Sequence, residues 1–405
     1  MLSATQASSS ARAAPGVALL DVARGLAMVI VLYGHALEIF FLRRPDGVFL
    51  HEAFVQYKVL ASFVMPLFFL VSGAAAAKLP AKGWRNVVKT SLYLILLAYL
   101  VHMLGLIGLA ADALLGGEGN LLEIGRSGFE AMLKGRNFST IVVWFLVSLA
   151  LVRLIAYAVF SRFPRAIYAV IALAALASLL VPVLPNAFLM KSWFTGLVFF
   201  ALGMALAGQL KRPAWLAVLP LAPLLAWLAL ANRGCVFDPV RLCPPPNLPA
   251  EAVVWMHNGE TGFLPLFYAA GLLGCALALA LVQLLVRFTP RGGGVTPLFG
   301  VTSLLAGIGR RSLDLLVING FVLVFLQPEL KAISLPEIEP WFFPVLLFVV
   351  VALHLALLRL LKRPLSALQR LASRGADLAV AGLAVMLARS GRAGGRSVLP
   401  SSTRS

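Results

Sequence analysis

The sequence has few charged side chains. Asp, Glu, Lys and Arg make up 12% of its 405 residues, whereas a soluble domain carries roughly 25%. Hydrophobic residues make up 61%, and the mean hydropathy is +0.94. These values exclude a soluble enzyme, a disordered protein and a disulfide-rich secreted module. The apolar runs are continuous and do not alternate, which excludes a transmembrane barrel. The composition therefore predicts an all-α polytopic membrane protein.

Cysteine is also scarce, with three residues in the chain. None belongs to a cluster with metal-ligand spacing, so we predict no metal site. Cys235 and Cys243 lie in the Pro-rich segment 232–262, where they form either a disulfide or two free thiols. Cys275 lies within an apolar run and is interpreted as a small apolar filler.

Acidic residues number 16 against 34 Lys and Arg, which gives a net charge of +18. In a soluble protein this charge would suggest a nucleic-acid partner. Here the basic residues lie in short loops between apolar runs, the pattern of cytoplasmic loops beside anionic lipid. We therefore predict membrane lipid as a partner and no nucleic acid. The loops on the opposite side of the membrane carry most of the acidic residues. Segment 232–262 is one of these loops, so the charge pattern places it outside.

Ten apolar runs are long enough to cross a bilayer core of about 30 Å. With ten spans, the basic loops that follow the second, fourth, sixth and eighth spans fall on one side together with the two basic terminal segments, so both termini are cytoplasmic. We predict a disordered cytoplasmic N-terminus at 1–16, a transmembrane domain at 17–361 and a basic tail at 362–405. Within the tail, 371–389 is interpreted as an interfacial helix, with an eleventh span as the alternative. The predicted spans are 17–42, 59–77, 90–110, 139–160, 166–184, 193–210, 214–231, 264–287, 312–328 and 340–361.

The first predicted span carries four ionisable residues, which are costly inside a bilayer and so indicate function. Arg24 and His35 are separated by three helical turns plus about 20°, so both point to one side of the helix, about 16 Å apart along its axis. Asp21 and Glu38 lie within about 60° of the same side. The structural alternatives are that Arg24 extends to the interface and that His35 bonds a backbone carbonyl.

Four motifs follow one another along the chain. The first is LLDVARGLAMVIVLYGHA, which combines Asp-x-x-Arg-Gly with a later histidine. The others are SFVMPLFFLVSG (62–73), WFLVSL (144–149) and FFALGMAL (199–206). In these motifs, and over most of its length, the chain resembles the membrane-bound acyltransferase-3 family. Ser72 and Gly73 in the second motif are interpreted as permitting close helix packing.

The chain departs from the family pattern at three places. Val64 stands where the family commonly has His before Met-Pro. Arg85 and Lys89 stand in place of Arg-x-x-Arg, with one more residue between them. Gly309-Arg-Arg-Ser-Leu matches a late motif, but Asn319 and Gly320 stand where a histidine is expected. The Gly-rich segment 291–294 before that motif is interpreted as a flexible linker.

The resemblance implies transfer of an acyl group, usually acetyl, from cytoplasmic acetyl-CoA to a carbohydrate or glycolipid hydroxyl in the cell envelope. The membrane would then be the bacterial inner membrane. A sugar hydroxyl needs a base to become a nucleophile, and we predict His35 in that role. Glu38 would stabilise the imidazolium that forms. A covalent acyl-His intermediate is left open.

The remaining site predictions concern the two substrates. Arg24, Arg85 and Lys89 are predicted to bind the phosphates of coenzyme A, although Arg85 and Lys89 could serve only as topology anchors. Trp144 and Asn319 are predicted to contact the acceptor, with an interface-belt tryptophan as the alternative for Trp144.

Two other functional classes share this composition. A secondary transporter or flippase for a lipid or glycan would also carry ionisable residues in its spans. Transporters are often built from internal repeats with broken helices, and we find no such repeat here. A non-catalytic membrane sensor is the third possibility. His102 and His354 are weaker pathway candidates, because no ionisable residue recurs beside them at helical spacing.

Overall fold

The computed structural model describes residues 15–38, 51–115, 119–210, 212–232, 254–288, 297–325 and 341–394. Within these ranges the chain is helical, apart from turns and one antiparallel pairing of Trp255 with Glu260. The all-α fold is thereby confirmed. Cys235 and Cys243, segment 291–294 and residues 1–14 of the predicted N-terminus lie outside the described residues.

Fourteen α-helices lie in the described ranges, and short 3-10 segments connect several of them. In chain order they are α1 (Pro15–Leu37), α2 (His51–Ala61), α3 (Val64–Ala75), α4 (Trp84–Leu114), α5 (Leu121–Lys134), α6 (Val143–Phe160), α7 (Ile167–Ala177), α8 (Trp193–Leu206), α9 (Ala222–Ala231), α10 (Leu264–Arg287), α11 (Pro297–Arg310), α12 (Ser312–Phe325), α13 (Phe342–Leu360) and α14 (Lys362–Gly394).

Eight helical segments in the described part of the chain are long and apolar enough to cross a membrane. They coincide with eight of the ten predicted spans. The other two, at 214–231 and 312–328, correspond to the shorter apolar segments Leu216–Ala231 and Ser312–Phe325. Pro220 divides the first of these into a 3-10 segment and α9. The chain is therefore a polytopic helical membrane protein.

Helix α1 packs against α11 with their backbones in close approach. A methyl group added at Gly25 would lie 1.9 Å from the carbonyl oxygen of Leu305, and one at Gly309 would lie 1.8 Å from that of Asp21. These contacts occur in opposite order along the two helices, so α1 and α11 run antiparallel. Arg310 also pairs with Asp21, at 3.7 Å. Glycine allows this approach because it has no Cβ.

Helices α3 and α8 meet in the same way. A methyl group at Gly73 would lie 1.9 Å from the carbonyl oxygen of Phe200, and one at Gly203 would lie 1.9 Å from that of Leu70. The interpretation of Gly73 as a packing residue is therefore confirmed. The second and fourth sequence motifs touch each other through these two glycines.

Helix α11 was not predicted, because the sequence analysis assigned no element between the spans at 264–287 and 312–328. It is 14 residues long, which is too short for a span of about 20 residues. Gly309 allows α11 to approach α1, but the glycines of this helix weaken the helical signal in the sequence.

The tail helix α14 covers 33 residues and extends beyond the predicted 371–389 at both ends. It packs against α4, where Lys89 pairs with Asp377 at 2.5 Å. Gln369 donates a hydrogen bond to Asp314 at the start of α12. The tail is thus attached to two helices of the transmembrane domain.

Candidate active site

Helix α1 borders two cavities. The first, called the His35 cavity here, has a volume of about 310 Å³ and is lined by His35 and Glu38 among others. The second, called the Arg24 cavity, has a volume of about 340 Å³ and is lined by Arg24 and Met28 among others. Because both cavities border the same helix at successive turns, they lie end to end along α1.

The two cavities have part of their lining in common. Four apolar side chains, one each from α1, α3, α6 and α12, line both cavities, and we call them the shared wall: Val31, Met65, Phe145 and Leu316. A group bound in either cavity therefore reaches the same apolar side chains, where the two cavities adjoin.

The imidazole of His35 contacts the side chain of Asn319 on α12. Asn319 Nδ2 lies 2.6 Å from His35 Nδ1, and Asn319 is buried. The oxygen and nitrogen of a side-chain amide can exchange places when the amide turns over, and one accepts a hydrogen bond while the other donates. This contact is therefore compatible with either tautomer of the His35 ring. Nδ2–H donates to an unprotonated Nδ1, whereas the amide turned over accepts from Nδ1–H through its oxygen. In the second arrangement Nε2 keeps its lone pair and is able to take a proton.

Glu38 lies one turn beyond His35 and contacts α2. Its Oε2 accepts a hydrogen bond of 3.3 Å from the hydroxyl of the buried Tyr57. A second bond joins the same two helices, from the Tyr33 hydroxyl to Gln56 Oε1 at 2.6 Å. These contacts hold the carboxylate of Glu38 at the end of α1 that faces the His35 cavity.

A short turn at residues 254–262, called the hook here, forms another wall of the His35 cavity. Trp255 and Glu260 exchange backbone hydrogen bonds of 2.8 and 3.1 Å, which close the turn. Gly259 has φ of 75°, a left-handed conformation that glycine adopts without a steric penalty. The hook is the described part of the predicted outer loop 232–262.

Two asparagines attach the hook to the rest of the fold. Asn232 donates to the carbonyl of Thr261 and accepts from the N–H of Phe263, both at 2.9 Å. Asn186 donates to the carbonyl of His257 at 3.1 Å. The hook is therefore held in a defined position through its main chain.

Three aromatic rings meet where the hook faces α6. The ring centroid of His257 lies 5.7 Å from that of Trp144, with an angle of 35° between the rings. It lies 6.5 Å from that of Trp255, with an angle of 38°. Burial lowers the pKa of His257 to about 4, with Glu38 acting in the opposite direction and His35 in the same one. His257 is therefore neutral at neutral pH.

The Arg24 cavity carries three basic side chains, from Arg24, Lys82 and Arg153. Arg24 lies 3.9 Å from Asp21 within α1. Arg153 donates a hydrogen bond of 3.3 Å to the hydroxyl of Thr90. A cavity with three cations favours a polyanionic ligand, because guanidinium groups form strong bonds to phosphate.

The other predicted donor-binding residues lie elsewhere. The guanidinium of Arg85 lies 5.7 Å from the centre of the neighbouring Trp84 ring, and Lys89 pairs with Asp377. Neither belongs to the described lining of the Arg24 cavity. Their role with the donor remains a prediction from the sequence. Of the predicted acceptor contacts, Trp144 lines the His35 cavity and Asn319 contacts His35.

His102 and His354, the weaker candidates, do not line either cavity as described. His102 accepts from the backbone N–H of Ser139 at 2.9 Å and donates to the carbonyl of Gly128 at 3.1 Å. His354 donates from Nδ1 to the carbonyl of Val350 at 2.8 Å. These bonds give His102 a structural role between α4, α5 and the segment that follows.

The sequence analysis did not identify His257, Lys82 or Arg153 as site residues. His257 lies outside the predicted spans, so no helical spacing relates it to His35. The sequence did contain one indication of its role. His257 lies two residues after Trp255 in segment 232–262, and the charge pattern places this segment on the side of the membrane where the His35 end of α1 lies. Lys82 and Arg153 resemble ordinary loop and interface cations in the sequence.

The chain was also compared with known protein families. The family model for an acyltransferase domain of the acyltransferase-3 type matches residues 17–359. Neither the curated proteins nor the solved structures contain a match to the chain. The matched range includes the ten apolar segments, both cavities and the hook. The chain therefore belongs to the acyltransferase-3 family and is an integral-membrane acyltransferase.

Proposed function

We propose that this enzyme transfers an acetyl group from cytoplasmic acetyl-CoA to a hydroxyl of a cell-envelope carbohydrate or glycolipid, in the bacterial inner membrane. The observation that carries the proposal is the pair of cavities that meet at the shared wall. One contains three cations, and the other contains a histidine whose ring is held by an amide. Donor and acceptor can thus enter from opposite ends and meet along α1.

The donor would occupy the Arg24 cavity. Coenzyme A carries several phosphate charges, which Arg24, Lys82 and Arg153 are able to neutralise. The positive-inside pattern places this end of α1 in the cytoplasm, where acetyl-CoA is made. The pantetheine arm is linear and largely uncharged, so it suits the apolar shared wall. Its thioester would then lie within the His35 cavity.

The acceptor hydroxyl would occupy the His35 cavity. His35 Nε2 takes the hydroxyl proton while the oxygen attacks the thioester carbonyl carbon. A C–O bond forms, the C–S bond breaks, and coenzyme A leaves as a thiolate that receives the proton from His35. Asn319 holds the ring with Nδ1–H toward its amide oxygen, and Glu38 stabilises the transient positive charge.

The proposal is tested with purified protein, [¹⁴C]acetyl-CoA and membrane glycan. His35→Ala is expected to lower transfer by about 10²- to 10⁴-fold, the usual contribution of a positioned base. Glu38→Gln is expected to be milder, because it keeps the hydrogen-bond acceptor for Tyr57. Each variant is compared with wild type at matched protein level and thermal stability. Near-normal transfer by His35→Ala would contradict the general-base role.

The transporter alternative predicts a different result. A transporter or flippase with this fold would move a lipid or glycan without consuming acetyl-CoA. Family membership favours the enzyme, and wild-type protein that leaves acetyl-CoA intact in every acceptor mixture would overturn the proposed reaction.

A further inference from the structure

Trp144 and Trp255 each neighbour His257 in the lining of the His35 cavity, and we call these three rings the ring platform. We propose that the ring platform is the acceptor subsite and that it binds the apolar face of a sugar ring. This inference rests on the proposed function. It assigns acceptor recognition to the hook, a part of the chain that the four sequence motifs do not include.

The geometry of the platform supports this role. Its two ring pairs are inclined at 35° and 38°, so the face of His257 is turned only moderately from the face of each neighbouring tryptophan. By contrast, Trp144 and Phe145 meet edge to face at 82°, as rings in an apolar core often do. The platform rings are half-buried and line the cavity, so they retain surface that a ligand is able to cover.

The surroundings of the platform match the chemistry of a pyranose. Such a ring presents C–H groups on a face and hydroxyls around its edge. The platform offers aromatic faces for the C–H groups. Glu38, Tyr57 and Asn258 line the same cavity and offer polar groups for the hydroxyls. An apolar surface with a few placed polar groups is the usual composition of a small-molecule site.

The neutral state of His257 fits the same ligand. A neutral imidazole presents an uncharged ring face and one N–H donor, which suits an uncharged sugar. The desolvated position of the ring, facing Glu38 and His35, keeps its pKa near 4. A charged group at this position would instead favour an anion.

The platform is held in place by the fold around it. Asn186 and Asn232 hold the hook through main-chain hydrogen bonds, and Trp144 belongs to the first turn of α6. A site that is ordered in advance loses little conformational entropy on binding. The hook therefore places the acceptor relative to His35 without a large rearrangement.

The test uses purified full-length protein, acetyl-CoA and simple acceptors at millimolar concentration. The acceptors are the methyl glycosides of glucose, galactose, mannose and N-acetylglucosamine, with the acyclic polyol sorbitol for comparison. Sorbitol carries hydroxyls but no ring face. The Michaelis constants for acceptor and for acetyl-CoA are measured for His257→Ala, His257→Phe, Trp255→Ala and Trp255→Phe. Trp227→Ala is the matched control, since Trp227 is exposed on α9 and does not line either cavity as described.

We expect His257→Ala and Trp255→Ala to raise KM for the preferred glycoside by about 5- to 10-fold, as expected for loss of one aromatic contact. KM for acetyl-CoA should change less than KM for the glycoside. The two Phe variants should stay within about threefold of wild type because they keep a ring face. KM for sorbitol should not rise in the Ala variants as KM for the glycoside does. Trp227→Ala should have the same KM values as wild type. If the Ala variant at one of the two positions does not purify as folded protein, the Ala and Phe variants at the other position provide the test.

Three results would overturn the ring platform. Phe variants as impaired as Ala variants would show that ring faces are not used. A rise in KM for sorbitol as large as the rise for the glycoside would also show that ring faces are not used. Wild-type protein that consumes acetyl-CoA but acetylates no glycoside would remove the sugar subsite while leaving the transferase reaction intact. If wild type consumes no acetyl-CoA with any acceptor, the proposed function itself fails, and this outcome is distinct from the other three.

Discussion

The side-chain amide of Asn319 lies 2.6 Å from Nδ1 of His35, although 284 positions separate the two residues. The contact joins α1 to α12 inside the candidate active site. Asn319 and Gly320 stand where the family motif suggests a histidine. Because Asn319 contacts the proposed base, this departure from the family pattern lies next to His35.

Asn319 provides a test of the tautomer of His35. If the amide oxygen accepts from Nδ1–H, Asn319→Asp keeps that acceptor, whereas Asn319→Leu removes it. We expect Asn319→Asp to retain kcat within about fivefold and Asn319→Leu to lose about 10- to 100-fold, less than the loss of the base itself. Single-turnover acetyl transfer is the measurement. Equal losses in both variants would indicate that Asn319 acts as a donor to Nδ1.

Removing a cation from the Arg24 cavity should weaken donor binding. We expect Arg24→Ala and Arg153→Ala each to raise KM for acetyl-CoA by about 10- to 100-fold, since a charge-assisted bond contributes about 1.5–3 kcal/mol. Arg24→Lys should recover part of the loss, because the charge remains but the planar fork does not. The exposed Arg162 gives a control variant, Arg162→Ala.

The same assay compares Lys89 with the cavity residues. Lys89 pairs with Asp377 of α14 and is not in the described lining of the Arg24 cavity. We therefore expect Lys89→Ala to change KM for acetyl-CoA by less than about threefold, with little effect on stability because the ion pair is exposed. A rise as large as that of Arg24→Ala would instead support the donor role that the sequence predicts for Lys89.

The contact between α1 and α11 should not tolerate a side chain. A Cβ at Gly309 would lie 1.8 Å from a backbone oxygen, whereas one at Gly307 would have no atom within 4 Å. Gly309→Ala should therefore lower stability by about 1–3 kcal/mol or more, the typical cost of overpacking. Gly307→Ala should be neutral or stabilising by up to about 1 kcal/mol, because alanine favours the helix. Thermal unfolding in detergent measures both, and equal Tm values would contradict the close approach.

The shared wall should limit the length of the acyl group. Met65 lines both cavities, so Met65→Ala is expected to widen the connection between them. We expect the ratio of kcat/KM for butyryl-CoA to that for acetyl-CoA to rise by about 10-fold, a change of about 1.4 kcal/mol. Met103→Ala is the control, because Met103 is exposed on α4. An unchanged ratio in Met65→Ala would show that another part of the site selects the acyl group.

Much of the fold could be predicted because spans are local features of a sequence. Each apolar run must satisfy its own backbone hydrogen bonds in lipid, so its helical structure follows from composition alone. The periodicity of α1 likewise placed Arg24 and His35 on one side. Helix α11 was missed because it is short and glycine-rich, and its stability depends on α1 rather than on its own pattern.

The residues that complete the site depend on long-range contacts. Asn319 contacts His35, a pairing that the sequence analysis did not predict, and its contact with substrate stays a prediction. His257 reaches the cavity because Asn186 and Asn232 hold the hook there. No local pattern in the sequence reports these pairings, since they join segments far apart in the chain. Lys82 and Arg153 converge for the same reason.

The hook is attached through main-chain atoms, and this affects which side chains of the enzyme are free to change during evolution. Asn186 and Asn232 bond the carbonyls of His257 and Thr261, so these bonds do not depend on which side chains the hook carries. Helix α1 has no such freedom, because α11 contacts its backbone at Gly25 while His35 and Arg24 border the cavities. Substitutions at the hook could therefore change the choice of acceptor between related enzymes without disturbing the reaction chemistry.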